Sequence, residues 1–122
     1  MNNQTPEYFR NLLLKIYRCK KPFELKVVNK KPKTKMGVYI VDAKRIRIYS
    51  KWKSDCPLEE IAIHEYAHHI HETEKRIIQN RRKERVHGPE FCRIYSALMS
   101  VAIRRGLYDD PLIDNITRTV PL

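Results

Sequence analysis

Two histidines four residues apart, His64 and His68, frame Glu65 inside a stretch whose apolar residues recur at helical spacing. No other segment constrains the fold as tightly. Ser54-Asp55-Cys56-Pro57 reads as a helix start, because Pro57 suits the first helical position and Glu59 and Glu60 suit the first turn. Leu58, Ile61, Ala62, Glu65, Tyr66 and His69 then share one broad side, and Glu60, His64, His68 and His71 share another. The helix is predicted to run to about Glu74. Four residues advance a helix by about 400°, so His64 and His68 stack one turn apart on one face.

The segments on either side read with equal economy. Thr5-Pro6-Glu7 can cap and open a first helix, and Phe9, Leu12, Leu13, Ile16 and Tyr17 follow at helical spacing. That helix is expected to end near Lys20, ahead of Pro22. Then the period changes. Glu24–Val28 is a short β candidate, and Gly37–Val41 and Arg45–Tyr49 flank Asp42-Ala43-Lys44 as a hairpin. Ile46 and Ile48 alternate with Arg45, Arg47 and Tyr49, which predicts one buried face and one wet, basic face. Gly88-Pro89 opens a third helix with Phe91, Ile94, Tyr95, Leu98, Met99, Ala102 and Ile103 on its apolar side and Gly106 at its C-terminal end. Cys92, on the same helix, is expected to be a small buried residue. The order is helix, small three-stranded sheet, helix, helix: an α+β fold.

A chain of 122 residues is the size of one domain and needs no disulfide staples for a core. Its longest apolar run, Val38–Val41, is far below the ~18 residues of a membrane span, and no secretory signal opens it. Cys19, Cys56 and Cys92 are odd in number and widely spaced, which fits a reducing, cytoplasmic setting. The charge is lopsided: 25 Lys and Arg against 14 Asp and Glu, a net +11. Residues 15 to 53 carry fourteen of these cations and two acids, and a second basic stretch covers residues 75 to 85. Such a field favours polyanions, chiefly nucleic acid, although a merely solvated surface has the same composition.

His64-Glu65-Tyr66-Ala67-His68 is H-E-x-x-H on a helix. Two stacked imidazoles can grip one Zn²⁺, and the neighbouring carboxylate can take a proton from a metal-activated water and deliver it to a leaving amine. A catalytic zinc needs a third protein ligand and one open position. Glu72, Glu74, His71, His87 and Glu90 are the local candidates. His87 is favoured, because it sits at the loop-to-helix junction His87-Gly88-Pro89-Glu90-Phe91, where Gly88 permits a sharp turn and Pro89 fixes the helix start. His69 faces the packed side and reads as a bystander, while His71 could support a ligand from behind. Tyr49, Tyr66 and Tyr95 are candidates for a further donor to the oxyanion.

HEYAHH, followed after the charged stretch by HGPEF, resembles the SprT-like zinc metallopeptidases, which include the Spartan proteases of DNA–protein crosslink repair. The resemblance covers about residues 55 to 105. It implies that His64, His68 and His87 bind one Zn²⁺ and that Glu65 is the catalytic base. It also implies a compact zincin-like domain in which a small sheet packs beside the active-site helix. The paired cysteines of a C-terminal zinc ribbon are missing, as are the long recruitment regions of Spartan proteins. Residues 1–122 therefore read as one minimal catalytic domain, with residues 107–122 as a tail.

The expected activity is zinc-dependent endopeptidase cleavage of protein, with DNA-associated or DNA-crosslinked proteins as the substrate class the family suggests. Arg45, Arg47, Lys51, Lys53, Arg81 and Arg82 are the candidate DNA contacts, and the strand cations are expected to surround the substrate entrance if that strand borders the cleft. Trp52 could stack on a base or pack over the sheet edge. A monomer without a membrane partner is expected. The alternative is a basic nucleic-acid-binding module whose zinc site is structural or vestigial.

Overall fold

A computed structural model of the protein describes residues 5–32, 34–51, 56–74 and 86–108. Trp52, Lys53, the basic stretch 75–85 with Arg81 and Arg82, and the tail 109–122 lie outside the described residues. Three helices and three strands follow one another as α1 (Pro6–Ile16), β1 (Glu24–Val28), β2 (Gly37–Ile40), β3 (Arg45–Tyr49), α2 (Leu58–Thr73) and α3 (Pro89–Arg104). The fold is mixed α+β. Among the described residues, no helix is long and apolar enough to cross a membrane.

Helix α1 starts as its sequence dictates. The Thr5 hydroxyl accepts the Tyr8 N–H at 3.1 Å, and Pro6 opens the first turn. Phe9, Leu12, Leu13 and Ile16 are buried, each contributing about 1.5–3 kcal/mol relative to exposure. The helix stops at Ile16, four residues short of Lys20, because distant groups capture the next segment. Tyr17 turns extended, and its carbonyl accepts from the Tyr66 hydroxyl. The Lys20 N–H goes to Glu74 Oε2 at 2.9 Å, at the far end of α2.

The hairpin forms between β2 and β3, with Gly37 opposite Ile48 and Ile40 opposite Arg45. Val41 belongs to the turn rather than to the strand, and Lys44 adopts a left-handed φ of 48° there. Strand β1 pairs parallel with β3, so the sheet order is β1-β3-β2 and β2 lies at an edge. Ile46 and Ile48 point into the core at 0% exposure, and Arg45, Arg47 and Tyr49 alternate onto the opposite, half-exposed face.

Helix α2 runs through the middle of the molecule and touches β2, β3, α1 and α3. Ten of its residues are buried, far more than one stripe, because neighbours cover it on several sides. Pro57 precedes the helix as its cap residue (φ −61°, ψ 147°) instead of occupying the first helical position. Helix α3 begins at Pro89 behind Gly88 and ends in a Schellman motif. The Gly106 N–H reaches the Ile103 carbonyl at 3.1 Å, the Leu107 N–H reaches the Ala102 carbonyl at 2.8 Å, and Gly106 has φ 69°. Cys92 is exposed rather than buried, because it lies about 100° around α3 from the core residue Phe91.

Candidate metal centre

The two turns of α2 that carry the motif put the rings of His64 and His68 5.0 Å apart. His87 comes from the junction before α3. Gly88 is extended there (φ −78°, ψ −174°), and its carbonyl accepts the Cys92 N–H at 3.0 Å. That junction brings the His87 ring to 4.8 Å from His68 and 5.3 Å from His64. The ligand atoms of the three histidines all lie within 4.8 Å of one another, so His64, His68 and His87 form a group that could hold a metal ion.

The donor set fits such an ion. Nε2 of His68 and Nε2 of His87 are 3.1 Å apart. Two nitrogens held at about 2.0–2.1 Å by one tetrahedral ion would be separated by about 3.3 Å. His68 is also kept in the state a metal needs. Burial, and then the neighbouring imidazoles of His64, His87 and His71, push its pKa down to about 4, so at neutral pH it is uncharged. Three nitrogen ligands leave one position of a tetrahedron open. The other local candidates, His71, Glu72, Glu74 and Glu90, do not join the group.

One phenyl ring holds all three imidazoles in place. Phe91 stacks on His68 at 4.2 Å and meets His64 at 5.2 Å and His87 at 5.0 Å with ring edges. The HGPEF motif contains this residue, and its helical spacing marks it as core. Its contact with three ligand rings depends on how α3 crosses α2.

Glu65 is 6% exposed and lines the cleft beside the histidines. Its Oε2 lies 3.1 Å from Nδ1 of His64. With the proton on Nδ1, that ring offers Nε2 to a metal. Gly37 backs Glu65 from β2. A Cβ at that position would lie 2.7 Å from Cγ2 of Ile61, 3.2 Å from the Arg47 carbonyl oxygen and 3.3 Å from Cγ of Glu65. Only glycine lets the edge strand come this close to the helix. Its lone side-chain hydrogen offers no signal in sequence beyond the residue type itself.

His69 is indeed a packed bystander. It is fully buried, with Nδ1 2.8 Å from the Tyr39 hydroxyl and Nε2 2.9 Å from the Lys21 carbonyl. Nε2–H therefore donates to Lys21, and Nδ1 accepts from Tyr39. Burial lowers the pKa of this histidine, in keeping with a neutral ring. His71 is buried at 7% and meets the edge of Phe91.

The centre opens into a cleft of about 550 Å³ between β2 and α2. Met36, Val38 and Val41 line one side, and Val86, His87 and Tyr95 contribute from the α3 side. Lys35 is the one cation among the described lining residues, against the carboxylates of Glu60, Glu65 and Glu72. The expectation that the β3 cations surround the entrance is corrected here: β2 borders the cleft, and Arg45 and Arg47 face away on the outer side of the sheet. Arg45 is paired with Glu24 at 2.7 Å. Lys51 is exposed.

Sequence reasoning also passed over a carboxylate anchor. Glu60, one turn before His64, accepts the Tyr95 hydroxyl at 3.2 Å and the Tyr108 hydroxyl at 2.9 Å. Its place on the ligand face of α2 was the available signal. Of the three candidate donor tyrosines, Tyr95 lines the cleft. Tyr66 is buried with its hydroxyl turned to Tyr17 and Cys19, and Tyr49 is not among the lining residues. Cys56 lines the cleft but stays outside the donor group, and burial followed by the Glu60 carboxylate pushes its thiol up to about 11. Comparisons with protein-family models, curated proteins and solved structures give no match.

Proposed function

We propose that the chain is a zinc-dependent endopeptidase of the SprT-like type, with a zincin-like arrangement of helix, edge strand and histidine junction. The observation that carries this reading is the convergence of His64, His68 and His87, from two separate elements, with Glu65 in the same cleft. Zinc bound by these three imidazoles would supply Lewis acidity for water and carbonyl alike. Glu65 is the proton carrier: its carboxylate takes a proton from the attacking water and hands it to the leaving amine. Burial of Glu65 beside Gly37 of the edge strand holds that side chain at the cleft wall. The edge position of β2 supports a peptide substrate, because an extended chain can add beside an edge strand through backbone hydrogen bonds.

The proposed substrates are proteins associated with DNA. The net +11 and the outward cations of β3 support recruitment by nucleic acid, away from the cleft itself. Cys19, Cys56 and Cys92, odd in number and widely spaced, are in keeping with a cytoplasmic setting. A structural zinc site in a nucleic-acid-binding module is less well supported, since such sites are usually closed by four protein ligands and three donors converge among the described residues.

The test is cleavage of a basic, loosely folded protein by the zinc-loaded chain, with and without single-stranded DNA, against Glu65→Gln. Wild-type cleavage that Glu65→Gln abolishes while keeping its zinc is the expected result. Stimulation by DNA would support the DNA-associated substrate class. Salt-dependent DNA binding with no cleavage would favour the binding-module alternative and sink the peptidase.

A further inference from the structure

We propose that Tyr95 is a second catalytic residue of this site, a hydroxyl that donates to the substrate carbonyl oxygen as negative charge develops there. The inference rests on the hydrolytic reading above and adds a residue that the motif does not contain. Tyr95 stands on α3, lines the cleft, and has its ring 5.3 Å from that of His64. Phe91, which touches all three candidate ligands, stacks parallel to Tyr95 at 6.1 Å and 9°. The phenol ring is thus set by the same side chain that sets the imidazoles.

The hydroxyl is held in reserve by Glu60. Its bond to Glu60 Oε1 is 3.2 Å, longer than the usual O–H···O range of about 2.5–3.0 Å. Tyr108, 5% exposed, makes the shorter bond of 2.9 Å to Oε2 of the same carboxylate. Glu60 therefore remains anchored by Tyr108 when Tyr95 turns away. Exchanging one charged acceptor for another costs little, and the second exists only as the carbonyl oxygen gains charge. An interaction made in the transition state and not in the ground state accelerates the chemical step. The proton stays on Tyr95 throughout; only the hydrogen bond moves. The competing cleft tyrosine, Tyr39, has its hydroxyl committed to the buried His69.

The experiment compares the zinc-loaded full chain as wild type, Glu65→Gln, Tyr95→Phe and Tyr108→Phe. It measures kcat and KM on a peptide, affinity for a phosphinic peptide that mimics the tetrahedral state, and bound zinc. Tyr95→Phe is expected to lower kcat by about 10²-fold and to weaken the phosphinic peptide comparably. Its KM and zinc stoichiometry should stay as in wild type. Tyr108→Phe should cost only a few-fold in kcat. A Tyr95→Phe enzyme within about threefold of wild type, or equal losses in both tyrosine variants, overturns the inference while leaving the peptidase standing. A wild type that does not cleave, or a Glu65→Gln variant that does, removes the hydrolytic reading and this inference with it.

Discussion

Nε2 of His68 and Nε2 of His87 lie 3.1 Å apart although the two residues are nineteen positions apart in the chain. One comes from the buried middle of α2 and the other from an exposed junction, so the two sites differ in what their loss should do. His87→Ala removes an exposed ring, and the metal-free protein should unfold within about 0.5 kcal/mol of wild type. On the proposed reading, bound zinc should fall sharply, and with it any rise in melting temperature that added zinc gives the wild type. Unchanged zinc stoichiometry in His87→Ala would reassign the third ligand.

Gly37→Ala should damage stability and activity together. The new methyl would stand 2.7 Å from Ile61 Cγ2 and 3.2 Å from the Arg47 carbonyl oxygen, so strand and helix must part. A cost of about 1–3 kcal/mol is expected from such overpacking, read as a lower denaturant midpoint. Because Glu65 Cγ is the third neighbour, cleavage should fall by more than the unfolded fraction explains. Gly106→Ala is the control: nothing lies within 4 Å, and its positive φ alone should cost about 1 kcal/mol with activity retained.

Tyr39→Phe strips the partner from a fully buried ring nitrogen. His69 Nδ1 accepts from that hydroxyl, and no water reaches it at 0% exposure. The expected loss is about 1–3 kcal/mol, the cost of leaving a buried acceptor unmatched. Urea unfolding measures it; a loss under about 0.3 kcal/mol would show that the pair contributes nothing.

Alkaline pH should weaken the fold through Tyr17. Its hydrogen bond to Glu74, followed by desolvation and the charge of that carboxylate, pushes its pKa up to about 12 from 10.0. The unfolded chain therefore loses this proton first as pH rises. The contribution is fully present below pH 10 and is lost as pH climbs towards about 12. Tyr17→Phe should flatten the decline in melting temperature over that window. An unchanged slope would clear Tyr17 and leave the decline to the other tyrosines that burial raises, Tyr8, Tyr39 and Tyr66.

Local chemistry made much of this molecule legible from residues in order. Thr5-Pro6 and Gly88-Pro89 start helices by constraints that act within one turn, and Gly106 ends one by the same kind of constraint. The alternation of Ile46 and Ile48 with arginines defines a buried and a wet face. The four-residue spacing of His64 and His68 puts two imidazoles on one face of any helix, whatever surrounds it.

What the residues in order could not reveal depends on contacts between distant segments. Helix α1 ends at Ile16 because Tyr66 on α2 and Glu74 at its C-terminal cap capture the chain beyond it. The cleft lies along β2 rather than β3 because β1 pairs with β3 and leaves β2 at the edge, a choice of partner that alternation cannot encode. The meeting of Phe91 with three imidazoles, and of Tyr95 and Tyr108 with one carboxylate, follows from the crossing of α3 over α2. Sequence alone determined which side chains could do chemistry and on which face of which helix they stand, since helical periodicity is a property of the backbone. Tertiary packing decided which of them share a cleft, since that depends on how closely Gly37 lets a strand approach Glu65 and where Gly88 turns His87 back towards His68.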